Sequence, residues 1–297
     1  MVELALGMRI AGFEAAEDFG DGRRGGLYLT LIPHLAGAAL DFYLRSAPEG
    51  EVAIEILDPN GALIRRYSSR DPLPQPAPPG AIAAAWIAAR EHLTPRAGMN
   101  RLIWDLRYPL PGGKAEIADN DGGPPLLGPL ARPGVYEVRL LVDGRQYTHL
   151  LKVVADPRTA ATTDDFARQF ELSSTILQAM ARADQATAEI AAFRKQLDGH
   201  RVRAQMAGKG PIVGLIVAFD AEANRAAKSV DAQNEHLQTA LGVVESGDRT
   251  PPAVAYQMCD EADQAISQAL EKWQVWRKSR IAEINKQLQA AGLELIR

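Results

Sequence analysis

"VYEVRLLVDGRQYTHLLKVV", residues 135–154, decides how the first half of the chain is read. Two runs rich in β-branched and aromatic residues flank Asp143-Gly144, and an Asp-Gly step accepts the paired positive φ angles of a type I′ turn. The stretch is therefore predicted to be a β-hairpin. Toward the N-terminus, "EVAIEIL" (51–57) sets Val52, Ile54 and Ile56 on one face and Ala53, Glu55 and Leu57 on the other. "DPNG" (58–61) follows, with Pro59 presetting φ and Gly61 free to take φ > 0. The chain returns through "ALIRRY" (62–67), so 51–67 is an earlier hairpin. "LYLTLI" (27–32) and "ALDFYL" (39–44) are further strand candidates. About seven strands without long intervening helices predict an immunoglobulin/fibronectin-like β-sandwich over residues 27–156. Residues 1–26, with the charged, Gly-rich "EDFGDGRRGG", read as an irregular tail.

Two insertions interrupt these strands. "DPLPQPAPPG" (71–80) is a Pro-rich spacer that cannot join a ladder, and "AIAAAWIAAREHL" (81–93) reads as a short helix. "PGGKAEIADNDGGPPLLGPLARPG" (111–134) reads as a long loop.

Past Asp156 the period changes from two to 3.6. Thr162 is placed to cap a helix whose first turn holds Asp164 and Asp165, and apolar residues recur from Phe166 to Ile190, with an end expected at Gly199. A basic loop, "HRVRAQMAGKGP" (200–211), leads to a second helix through Ile212, Ile216, Phe219, Val230, Leu237 and Val244. Thr250 and Pro251 are read as the cap and first residue of a third. Its Ala255, Cys259, Ala262, Ile266, Ala269, Trp273 and Trp276 alternate steps of four and three, a coiled-coil seam that resumes at Ile281 and ends near Gly292. The expectation for residues 160–297 is an antiparallel three-helix bundle roughly 50 Å long. The fold class is thus α+β, with the sandwich and the bundle as separate domains.

A chain of 297 residues fits this division, since a domain averages roughly 150 residues. Hydrophobic residues make up 46% and charged residues 24%, an ordinary soluble balance, and a net charge of −4 offers no basic surface for nucleic acid. The one cysteine, Cys259, rules out an internal disulfide and a Cys-based zinc site, and its place in the seam reads as a small buried hydrophobe. "MVELALGMRI" lacks the basic start and apolar run of a signal peptide, and no stretch has the roughly 18–20 apolar residues of a membrane span. The chain as written therefore reads as cytoplasmic.

Motifs that would carry chemistry fail on inspection. "AGKGPIVG" (207–214) resembles a phosphate loop, but Arg203 stands where its first Gly belongs and Gly210 where Ser or Thr belongs. "ADNDGG" (118–123) offers Asp119 and Asp121 at calcium-loop spacing, yet Gly123 replaces the next oxygen ligand and no closing Glu follows. The five histidines, His149 and His236 among them, form no ligand pair, and no G-x-S-x-G elbow is present. No catalytic, cofactor-binding or metal-binding residue is assigned.

"GMNRLIWDLRYP" (98–109) concentrates the remaining chemistry. On a strand, Leu102, Trp104 and Leu106 share the inward face and Arg101, Ile103 and Asp105 the outward one. Trp104 is then an anchor between the sheets, and Asp105 with Arg101 or Arg107 a polar clasp at the sandwich end. Asp105 is also the tempting glycosidase carboxylate, but cationic residues at 101 and 107 suit a clasp better than a proton donor. Trp86 and Tyr108 are candidate stacking platforms for a carbohydrate.

"GEVAIEILDPNGALIRRYSS", "AGMNRLIWDLRYP", "GPLARPGVYEVRLLVDGRQYTHLLKVVADPR" and "TALGVVESGDRTPP" follow one another in this order. Together they resemble the C-terminal region of bacterial BNR-repeat, sortilin-like glycosyl hydrolase family proteins. The elements Asp58–Gly61, Trp104-Asp105 and Pro133-Gly134-Val135-Tyr136 also resemble an Ig-like module of the hook-capping type. The resemblance covers roughly residues 38–295. It implies a fibronectin/Ig-like sandwich and helical tail behind a β-propeller, in a secreted or periplasmic parent. In that family hydrolysis is assigned to the propeller, whose S-x-D-x-G-x-x-W signature is absent here, so no catalytic residue carries over. The function expected is a non-catalytic accessory module with a protein partner, such as the missing propeller. The alternative is a carbohydrate-binding sandwich.

Overall fold

The computed structural model describes residues 3–5, 37–73, 92–113 and 126–296. It contains two antiparallel sheets followed by three helices. The chain divides into two compact units, Met1–Phe170 and Glu171–Arg297. The strand candidate at 27–32, most of the 71–80 spacer and of the 81–93 helix, Trp86, and the calcium-like 118–123 lie outside the described residues.

The strands are β1 (Glu3–Ala5), β2 (Ala38–Leu44), β3 (Val52–Leu57), β4 (Leu63–Ser68), β5 (Gly98–Trp104), β6 (Gly134–Val142) and β7 (Arg145–Val153). One sheet has the order β1-β2-β5 and the other β4-β3-β6-β7. β1 lies within the stretch read as an irregular tail and pairs Glu3 with Tyr43. Both expected hairpins form. Asp143 and Gly144 take φ of 47 and 76, the two positive angles of a type I′ turn. In the other turn the Asp58 carboxylate accepts the N–H groups of Asn60 and Ala62, an Asx arrangement that fixes the reversal into β4.

Alternation places one side of each sheet in a shared apolar cluster. Leu40 and Phe42 of β2, Ile54 and Ile56 of β3, Leu102 and Trp104 of β5, and Tyr136, Val138 and Leu140 of β6 all belong to it. Trp104 is completely enclosed, and its ring meets the edge of Tyr136 at 5.3 Å. Leu106 is buried as expected but is not on the strand. β5 ends at Trp104, and Leu106 sits at φ 58, a left-handed conformation that L residues seldom adopt. Two backbone bonds hold that turn, Ala131 N–H to Leu106 O at 2.7 Å and Tyr108 N–H to Pro129 O at 3.0 Å.

The helices are α1 (Thr163–Met206), α2 (Gly210–Val244) and α3 (Ala253–Ala290). Thr162 caps α1 as expected: its hydroxyl oxygen accepts the Asp165 N–H while the Asp165 carboxylate accepts the Thr162 N–H, a capping box. Other ends differ from the reading. Gly199 does not stop α1, because Leu197, His200 and Ala204 continue its buried stripe and one internal Gly costs only about 1 kcal/mol. The stop is Gly208, at φ 68, so most of the basic loop is helix. α3 starts two residues later than expected, with Pro252 extended at its N-cap, since the residue before a proline is pushed out of helical geometry.

In the second unit, Ile190, Phe193 and Leu197 of α1 share a cluster with Ile216, Phe219 and Ala223 of α2 and Trp273, Ile284 and Leu288 of α3. Trp273 and Trp276 stack at 5.0 Å, and Phe193 meets both edge-on. A polar ladder joins α1 to α2: Asp184 with Asn234, Thr187 with Asp231, and Arg194 with Asn224 and Asp220. Each step up α1 matches an equal step down α2, so the two helices run antiparallel in one register. Cys259 is buried in the α3 seam, and burial pushes its thiol pKa up.

Candidate functional site

Polar and aromatic groups gather where β5 gives way to the turn at 105–108 and that turn meets the return segment at 128–132. Sequence periodicity carries Trp104 inward and leaves its indole N–H in need of an acceptor, since a buried donor without one is costly. The Arg107 carbonyl supplies it at 3.2 Å and accepts Arg65 Nε at 3.3 Å as well. The Arg107 guanidinium donates to Gly128 O at 2.9 Å. Gly128 has no space for a side chain, as a Cβ would stand 1.8 Å from Tyr108 O. The backbones of these two segments are pressed together.

Asp105 accepts the Arg107 N–H at 3.0 Å and pairs with Arg65 at 3.6 Å. Of the expected clasp, Asp105 meets the backbone N–H of Arg107, while the Arg107 guanidinium goes to Gly128 O and the cation paired with Asp105 is Arg65. Arg101 is not part of it. It makes a two-pronged pair with Asp41, both contacts 2.7 Å, because β2 and β5 align Asp41 and Arg101 directly. Arg65, which the sequence reading missed, takes the place offered to Arg101. It comes from β4 in the other sheet, so the clasp ties the two sheets together.

Tyr108 is not an exposed platform. It is half-buried against the two-sheet core, and its ring meets Phe170 edge-on at 4.8 Å. The Arg132 guanidinium covers Phe170 from 5.1 Å. Burial pushes the Tyr108 phenol above its ordinary pKa, and burial pushes the Tyr136 phenol further, helped by the neighbouring Tyr108. The Tyr136 hydroxyl donates to Arg132 O at 2.8 Å. Phe170 lies in the second turn of α1 and is the last residue of the first unit. Tyr136, Arg132 and Phe170 received no role from the sequence, although the "PGVY" element already held the signal for Tyr136: a Tyr just inside a late strand.

Chemically, this arrangement fastens. Its cation, carboxylate, carbonyl and indole N–H are directed at one another. Among the described residues, no group of three or more His, Cys, Asp or Glu is placed to hold a metal ion. No described helix is long and apolar enough to cross a membrane. Comparison of the chain with models of known families, with curated proteins and with solved structures finds no match in any of the three.

Proposed function

We propose that this chain is a non-catalytic accessory module, an Ig/fibronectin-like sandwich followed by a three-helix bundle, that serves a protein partner. The observation that carries this reading is the use of "WDLRY": Trp104, Asp105, Arg107 and Tyr108 all bind other parts of the same unit. A site for substrate would leave such groups directed at an open cleft.

The strand order supports the sandwich. With β4 on the sheet of β3, β6 and β7, it departs from the constant-type immunoglobulin arrangement, in which the fourth strand joins the first, second and fifth. The Tyr136 bond to Arg132 O, at the start of the sixth strand, has the geometry of the tyrosine corner of such sandwiches. The motif string that resembles BNR-repeat, sortilin-like proteins favours a propeller-bearing protein as the partner, and an exported setting.

The test is turnover of aryl sialosides and β-glucosides by the purified chain beside Asp105→Asn, with calorimetry against the matching oligosaccharides. Neither turnover nor binding heat is expected. Turnover abolished in the variant would replace this reading with a hydrolase, and saturable heat without turnover with a carbohydrate-binding module.

A further inference from the structure

The end of α3 is built to turn back. Gly292 takes φ 71, and the Leu293 N–H reaches Leu288 O at 2.9 Å, the reversal of a Schellman cap. The segment after it is fastened at three points. Asn285 donates its amide to Ile296 O at 2.9 Å and accepts the Ile296 N–H at 2.8 Å, as a neighbouring strand would. Glu294 pairs with Arg203 of α1 at 3.8 Å. Ile296 is buried in the cluster that also holds Leu197 and Ala204.

Leu197 and Ala204 stand one turn to either side of His200. That imidazole is only 5% exposed, and its Nδ1 is buried without a hydrogen-bond partner among the described residues. Among the described residues, the charged groups acting on it are Arg203 of its own helix and Glu294 of the returning segment. The residues that α2 and α3 contribute to the surrounding cluster, among them Ile212, Ile284 and Leu288, are apolar.

We propose that Leu293–Ile296 is a proton-released strap, which lies down against a neutral His200 and lifts when the imidazole takes up a proton. A protonated ring carries two N–H donors, and Nδ1 has no acceptor among the described residues in the closed arrangement. Lifting the strap would give it water. Burial, first, and then Arg203 hold the proton affinity of His200 below its ordinary value, with Glu294 opposing them. The closed state therefore keeps its full stability above the ordinary histidine value of about 6.5 and loses it as pH falls below.

The measurement is hydrogen exchange at the Ile296 amide in the full chain at pH 7.5 and 5.5, corrected for intrinsic rates. The corrected rate should rise roughly fivefold or more at the lower pH, since each unit of pKa difference between closed and open states is worth about tenfold. His200→Gln should flatten the response. Glu294→Gln removes both the Arg203 pair and the group that favours the charged ring, so it should raise exchange at both pH values and enlarge the ratio between them. A parent rate unchanged between the two pH values, an acid response surviving in His200→Gln, or a smaller one in Glu294→Gln would each overturn the proposal.

Discussion

Tyr108 and Phe170 meet edge to face with ring centroids 4.8 Å apart, and Phe170 is the last residue of the first unit. Such ring pairs are worth about 0.5–1.5 kcal/mol beyond the area they bury. Phe170→Ala should therefore lower the stability of the isolated 1–170 chain by about 1–3 kcal/mol in urea melts. A loss within error would mean that the opening turns of α1 are passengers.

Trp104→Ala should be more damaging, at roughly 3–5 kcal/mol, because it removes a completely enclosed aromatic and frees the Arg107 carbonyl of one donor. Trp104→Phe should retain much of the packing. A loss under about 1 kcal/mol for the alanine variant would contradict the inter-sheet anchor.

Tyr136→Phe deletes only the bond to Arg132 O and should reduce stability by about 1–2 kcal/mol. The pH dependence follows from the raised phenols. Their contribution is complete below the ordinary tyrosine value near 10 and is lost as pH rises from there toward the folded values. Absorbance titration near 295 nm should show two late-ionising tyrosines in the parent, with one of them missing in the variant.

Gly128→Ala should destabilise the first unit by more than about 2 kcal/mol, since the added carbon collides with backbone that two hydrogen bonds hold in place. Thermal melts of the full chain would register it. A neutral outcome would require the 128–131 segment to withdraw from Tyr108.

In the second unit, reversing Arg194 to Glu should weaken the α1–α2 pairing, and adding Asp220→Arg should restore part of the loss. The coupling should be about 0.2–1 kcal/mol, as both groups are partly exposed. Purely additive effects would mean the pair is a surface ornament.

What the sequence disclosed and withheld divides along chain distance. Asp143-Gly144, Thr162 with Asp165, and the α3 seam were legible because turn, cap and helix face are each set by residues within a few positions of one another. The partner of Arg101 was not, since Asp41 is 60 residues away and only the β2–β5 register brings it opposite. Arg65 reached Asp105 for the same reason, through a sheet order that no local pattern encodes. Gly199 misled because a lone glycine marks both helix ends and tolerated interior sites, and the deciding burial of His200 and Ala204 is tertiary. Tyr108 misled because aromatic character alone does not separate a ligand platform from a docking post for Phe170.

The ladder from Asp184–Asn234 to Arg194–Asn224 has a consequence for how the helical unit can change in length. Its seam is rich in alanine, at positions such as Ala183, Ala186, Ala223 and Ala240, and small residues of one size mesh almost as well after sliding one heptad. The polar pairs do not. A slide of seven residues sets Asp184 opposite Leu241 or Ala227 and strands its carboxylate against carbon. Insertions and deletions in α1 and α2 are thus bound to one another: seven residues lost from one helix demand seven from the other. The unit can shrink or grow only by matched increments, with its few polar residues keeping count for a much larger apolar majority.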